Sequence, residues 1–141
     1  MAKPSEEAVE LIIPTHPRYL SAARLLVGGL GAQAGLSLEE VEDMKVAVSE
    51  AVTNVIDHAY GGELKGVVIV RFRPGSGELT VEVEDRGVGF DPGRVPAGGP
   101  PQPGPDGGLG LYLVRELADS VKVESAPGSG TKITITKRLH G

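Results

Sequence analysis

Glu50, Asn54 and Asp57 stand four and then three residues apart, so a helix through them would carry two carboxylates and an amide on one face. An amide oxygen is a hard ligand that suits Mg²⁺, and a carboxylate one turn away can take a proton from water or an alcohol. A solvated polar helix face would show the same spacing. Asp85 is followed by Arg86-Gly87-Val88-Gly89, an acid with two glycines directly after an alternating strand. Such a turn lets backbone approach a flat ligand while the carboxylate reads an amino group on its edge. A glycine-rich exit from a strand would look alike. Gly107-Gly108-Leu109-Gly110-Leu111 precedes an apolar helical pattern, and bare amides at a helix start attract an anion such as phosphate. It is neither a Walker A loop nor a dinucleotide fingerprint after a strand. Taken together, the three supply a metal and base, an adenine contact and a phosphate cradle, in an order compatible with one nucleotide site.

The elements that must position these residues can be read from periodicity. Ala8–Ile13 reads as an edge strand ended by Pro14, and Leu20, Ala23, Val27 and Leu30 recur at helical spacing from Pro17 to about Leu30. Gly28, Gly29 and Gly31 are expected to end that helix. Ser37 and Glu40 form a capping box for a helix running to about His58, with an apolar stripe at Val41, Met44, Val48, Val52, Val55 and Ala59. Residues 66–73 and 78–84 read as a hairpin around Pro74-Gly75-Ser76-Gly77. A helix over 110–118 and a second hairpin, 120–125 and 131–137, close the chain. Helices grouped on one face of a mixed, mainly antiparallel sheet make an α+β two-layer sandwich.

Composition narrows the class. The chain has 141 residues, which fits one domain over 1–141, with 40% hydrophobic and 23% charged residues. It has no cysteine, so a disulfide framework or thiolate metal site is excluded. The net charge of −5 argues against direct nucleic-acid binding. No apolar run reaches the ~20 residues a membrane span needs, and no signal pattern opens the chain, so a cytoplasmic location is expected. Of 21 glycines and 11 prolines, many crowd between Gly87 and Gly110. That stretch cannot build its own core and reads as a lid or linker.

Ser49-Glu50-Ala51-Val52-Thr53-Asn54, followed by Asp57-His58-Ala59-Tyr60, resembles the N box of the ATPases that include gyrase, the heat-shock chaperones and the histidine kinases. Asp85-Arg86-Gly87-Val88-Gly89-Phe90 resembles their first glycine box and Gly108-Leu109-Gly110-Leu111 their second. Gly128-Ser129-Gly130-Thr131 is similar to the GxGT before their last strand, and the likeness covers roughly residues 40–137. The wording of the N box and the small size look most like the anti-sigma-factor serine kinases of sporulation and stress control.

That resemblance implies a Bergerat-type fold using ATP and Mg²⁺. Glu50 would be the general base toward a serine of an anti-anti-sigma protein, and Asn54 would hold Mg²⁺. Asp57 and His58 would lie within reach of the nucleotide. Asp85 would bind the adenine amino group with Thr131 nearby, and Gly87 and Gly89 would let the chain turn beneath the base. Gly108 and Gly110, with the amides of Gly107, Leu109 and Leu111, would wrap the phosphates under a lid at about 91–106. The implied partners are that anti-anti-sigma protein, a sigma factor and a second copy of the chain in a homodimer. Many relatives carry a basic residue or a hydroxyl just before the second glycine box, where this chain has Asp106-Gly107. A weaker phosphate grip would spare binding and lower transfer, so an ATP-dependent regulatory binding module without kinase activity stands as the alternative. A histidine-kinase catalytic domain and a detached hydrolase fit less well.

Overall fold

The computed structural model describes residues 7–59, 66–87, 108–128 and 130–140. Among them, five strands form one sheet in the order β1-β2-β3-β5-β4. The strands are β1 (Val9–Pro14), β2 (Val67–Gly75), β3 (Glu78–Asp85), β4 (Ser120–Ser125) and β5 (Thr131–Arg138). Three α-helices cover one face: α1 (Leu20–Gln33), α2 (Leu38–Asn54) and α3 (Gly108–Leu117). The two-layer α+β sandwich is the one expected. Its four strand pairings are all antiparallel, so the parallel pairing that a mixed sheet would hold is absent among the described residues.

Strand alternation sorts the side chains onto two faces. Val68, Val70, Phe72, Leu79, Val81, Val83, Ile133 and Ile135 turn toward the helices and are fully buried. They meet Ala23 and Val27 of α1, Met44, Val48 and Val52 of α2, and Leu111 and Val114 of α3 in one cluster. The opposite face carries interleaved ion pairs. Arg71 bridges Glu10 at 2.8 Å and Glu84 at 2.6 Å, Arg73 pairs with Glu82, and Arg138 reaches Glu78 at 3.0 Å.

Ser37 caps α2 as its sequence indicates: its hydroxyl accepts the Glu40 amide at 3.1 Å, and Glu40 accepts the Ser37 amide at 2.8 Å. Two expectations about helix ends need correcting. α1 is preceded by a 3₁₀ turn at Pro17–Tyr19 and runs through Gly28, Gly29 and Gly31 to Gln33. At Gly31 the helix approaches α2 so closely that a Cβ there would lie 3.0 Å from Val41 Cγ2. That glycine serves packing rather than termination. α2 stops being α-helical at Asn54 and widens into a π-helix over Val55–Ala59, a distortion often found at functional sites.

Candidate functional site

Two contacts fix how α2 lies along β5. The His140 amide donates to Glu40 at 2.7 Å, and Lys137 Nζ meets Asp43 at 3.3 Å. As the chain is followed backward from 140 into β5 at 137, α2 is followed forward from 40 to 43, so helix and strand run antiparallel. Asn54 then lies about 16 Å farther along α2 and Thr131 about 20 Å back along β5, which brings them to the same end of the sandwich. Lys137 Nζ also donates to the Leu117 carbonyl at 2.6 Å. The C-terminus of α3 is thereby held at the opposite end, and its start at Gly108 is directed about 14 Å back toward Asn54 and Thr131. Three sequence segments far apart in the chain therefore converge.

At that end Asp85, Thr131 and Ser125 stand side by side across β3, β5 and β4. Asp85 is 4% exposed and Thr131 7%. The Asp85 carboxylate accepts the Gly87 amide at 2.7 Å and the Thr131 amide as well. Burial pushes its pKa above the ordinary aspartate value, with the Glu84 charge adding to the rise and the two amides opposing it. Gly130 approaches the turn after β3 with φ of +75°, leaving no room for a side chain. A cleft of about 460 Å³ opens at this end of the sheet, lined by Asp85, Ser125 and Thr131 and equally by Glu84, Glu124 and Lys132 of the opposite face.

On α2, Glu50 and Asn54 are half-buried and Asp57 is exposed. Asn54 Oδ1 is buried and has no hydrogen-bond partner among the described residues. A buried acceptor left so costs about 1–3 kcal/mol, and an Mg²⁺ ion is the kind of group that would satisfy it. No group of three or more His, Cys, Asp or Glu able to hold a metal stands among the described residues. An ion at Asn54 would therefore draw its other ligands from phosphate and water, as Mg²⁺ commonly does.

Backbone positions of Gly108, Leu109, Gly110 and Leu111 open α3, and Leu111 is buried in the core. Gly89, Gly107, the His58 side chain and the lid at about 91–106 lie outside the described residues. One residue was not singled out by the sequence. Ser125, read only as strand, contacts both Gly130 and Thr131; counting the hairpin register back from the 127–130 turn would have placed it opposite Thr131. On α1, Arg24 donates from Nε to Ser49 Oγ at 2.7 Å, next to Glu50. No helix among the described residues is long and apolar enough to cross a membrane.

Comparison with known proteins agrees with this fold. A histidine kinase-like ATPase domain model matches residues 13–137. The serine-protein kinase RsbW of Bacillus velezensis is 41% identical, over 97% of this chain and 89% of its own length. RsbW of Bacillus subtilis is 37% identical, over 99% and 90%. The RsbU and RsbW domains of a Mycobacterium tuberculosis protein superpose with a TM-score of 0.67 at 21% identity, covering 94% of this chain and 32% of that one. The histidine kinase domain of a blue-light activated kinase from Erythrobacter litoralis gives 0.58 at 26% identity, over 90% and 62%. The chain belongs to the RsbW family of serine-protein kinases, built on the histidine kinase-like ATPase domain.

Proposed function

We propose that this member of the serine-protein kinases is an anti-sigma factor that phosphorylates a serine of an anti-anti-sigma protein and sequesters a sigma factor, working in the cytoplasm as a homodimer. The observation that carries the catalytic reading is the buried Asn54 Oδ1, without a partner among the described residues and one helical turn beyond Glu50. Asn54 would hold Mg²⁺, which when bound would neutralise charge on the nucleotide phosphates. Glu50 would accept the proton of the attacking serine hydroxyl as its oxygen bonds to the γ-phosphorus and the bond to the departing ADP oxygen breaks. Asp85, a buried acceptor beside the cleft, would take a hydrogen bond from the adenine amino group, with Thr131 next to it. Gly87 and Gly89 would make room for the base. The amides at the start of α3, from Gly107 to Leu111, would face the phosphates. Asp57 and His58 would border the nucleotide.

The test is calorimetry of the full chain with ATP and Mg²⁺, alongside phosphoryl transfer to the anti-anti-sigma substrate. Glu50→Gln is expected to bind ATP and transfer nothing; full turnover in that variant removes Glu50 as the base. A wild type that binds ATP yet never phosphorylates a partner would favour the regulatory module without kinase activity, the reading to which Asp106-Gly107 points.

A further inference from the structure

Ser125 Oγ lies 2.9 Å from the Gly130 carbonyl oxygen and 2.8 Å from Thr131 Oγ1. A carbonyl can only accept, and a serine hydroxyl has one proton. Both contacts are hydrogen bonds only if Ser125 donates to Gly130 and Thr131 donates to Ser125. The Thr131 proton is then directed toward β4, and the Thr131 oxygen offers the cleft lone pairs alone. Its neighbour Asp85, when ionised, is likewise an acceptor. The end of the cleft thus presents two acceptors side by side.

From this the geometry points to Ser125 as a positioning residue for purine selectivity: by fixing the Thr131 hydroxyl as an acceptor, it makes the site favour adenine over guanine. The inference rests on the nucleotide-binding reading above. Adenine carries an amino donor where guanine carries a carbonyl acceptor. With both acceptors facing that position, the two protons of the adenine amino group supply one to each; a hydroxyl free to rotate could serve either purine, whereas one committed to Ser125 serves the donor and repels the carbonyl. The Gly130–Thr131 backbone delivers the arrangement, because its close approach to Asp85 sets acid and hydroxyl in one row.

The experiment is competition binding of ATP and GTP to the full-length wild type, Ser125→Ala and Ser125→Thr, read as the ratio of the two dissociation constants. Ser125→Ala frees the Thr131 hydroxyl and is expected to lower the preference for ATP by about tenfold, mainly through tighter GTP binding. Ser125→Thr keeps the hydroxyl and should retain the wild-type ratio. An unchanged ratio in Ser125→Ala overturns the inference, as does equal weakening of both nucleotides, which a merely structural role would give. A wild type that binds neither nucleotide brings down the ATP-site reading itself. A wild type that binds ATP and GTP alike removes only the selectivity argument.

Discussion

Gly130 sits so close to Asp85 that a Cβ on it would overlap the Asp85 carbonyl oxygen and lie 2.9 Å from the Arg86 Cα. Gly128, two residues earlier, has a similar φ of +80°, but a Cβ there would meet nothing within 4 Å. The pair separates backbone conformation from close approach. Gly128→Ala should lose about 1 kcal/mol, the ordinary left-handed penalty. Gly130→Ala should lose about 3 kcal/mol or more. Urea unfolding of the two variants checks this, and equal losses would show that the overlap is not felt.

Asn54→Ala removes a buried acceptor that has no partner among the described residues. Without nucleotide its melting temperature should therefore equal or exceed that of the parent, since the buried oxygen contributes a penalty rather than a bond. The rise in melting temperature that ATP and Mg²⁺ give the parent should vanish in the variant. Thermal melts with and without nucleotide test both halves. A variant that melts well below its parent would mean Asn54 is a structural residue.

Lys137 points into the core side of the sheet, its side chain 11% exposed, and its ammonium joins Asp43 to the last carbonyl of α3. A cation at that end of a helix is favourable, and here it also locks three elements together. Lys137→Met should cost about 2 kcal/mol, because it leaves the Leu117 carbonyl and the Asp43 carboxylate without that donor. Chemical denaturation measures the loss. Asp43→Asn, which keeps the Leu117 bond, should cost less.

Amide hydrogen bonds from Ser37, then from His140, hold the Glu40 carboxyl below its ordinary pKa of 4.5. A depressed acid stabilises the fold above its unfolded pKa and loses that contribution as pH falls through the lower, folded value. Glu40→Gln can still close the capping box but cannot accept from both amides through two oxygens. It should melt lower than the parent at neutral pH, and the gap should close as pH falls below the ordinary carboxylate value of 4.5. A gap independent of pH would assign the loss to packing.

Asp85 behaves in the opposite sense, its pKa raised by burial. The penalty of burying its charge is present above the folded pKa and relieved as pH falls through it. ATP affinity, which needs the ionised acceptor, should therefore begin to fall at a higher pH than an ordinary aspartate would dictate. Asp85→Asn should flatten that pH dependence and erode the discrimination between ATP and GTP. Competition titrations across pH 4–7 read out both effects.

Much of this architecture was legible because local rules and tertiary packing agreed. Ser37 and Glu40 satisfy each other's amides wherever they sit, and the stripe from Val41 to Val55 has one way to be buried. Gly31 misled because its role is set by Val41 on another helix, which no propensity encodes. Lys137 has the core-facing parity of Ile133 and Ile135, yet a lysine there makes sense only once the end of α3 arrives. For the candidate site, type and spacing drew attention to Glu50, Asn54 and Asp85, while Thr131 entered only through its likeness to the GxGT turn. Ser125 was hidden because its partners lie across a turn, and a hydroxyl in a strand has no periodic signature.

The helix-free face of the sheet pairs Glu10, Glu78, Glu82, Glu84 and Glu124 with Arg71, Arg73, Lys122, Lys132 and Arg138. These five acids and five bases cancel. Those pairs therefore contribute nothing to the chain's net charge of −5. A polyanionic nucleotide approaching the proposed site would meet a domain whose long-range field opposes it. Its capture would then depend on short-range dipoles and an accompanying cation, and added salt, by damping the repulsion, should quicken the encounter.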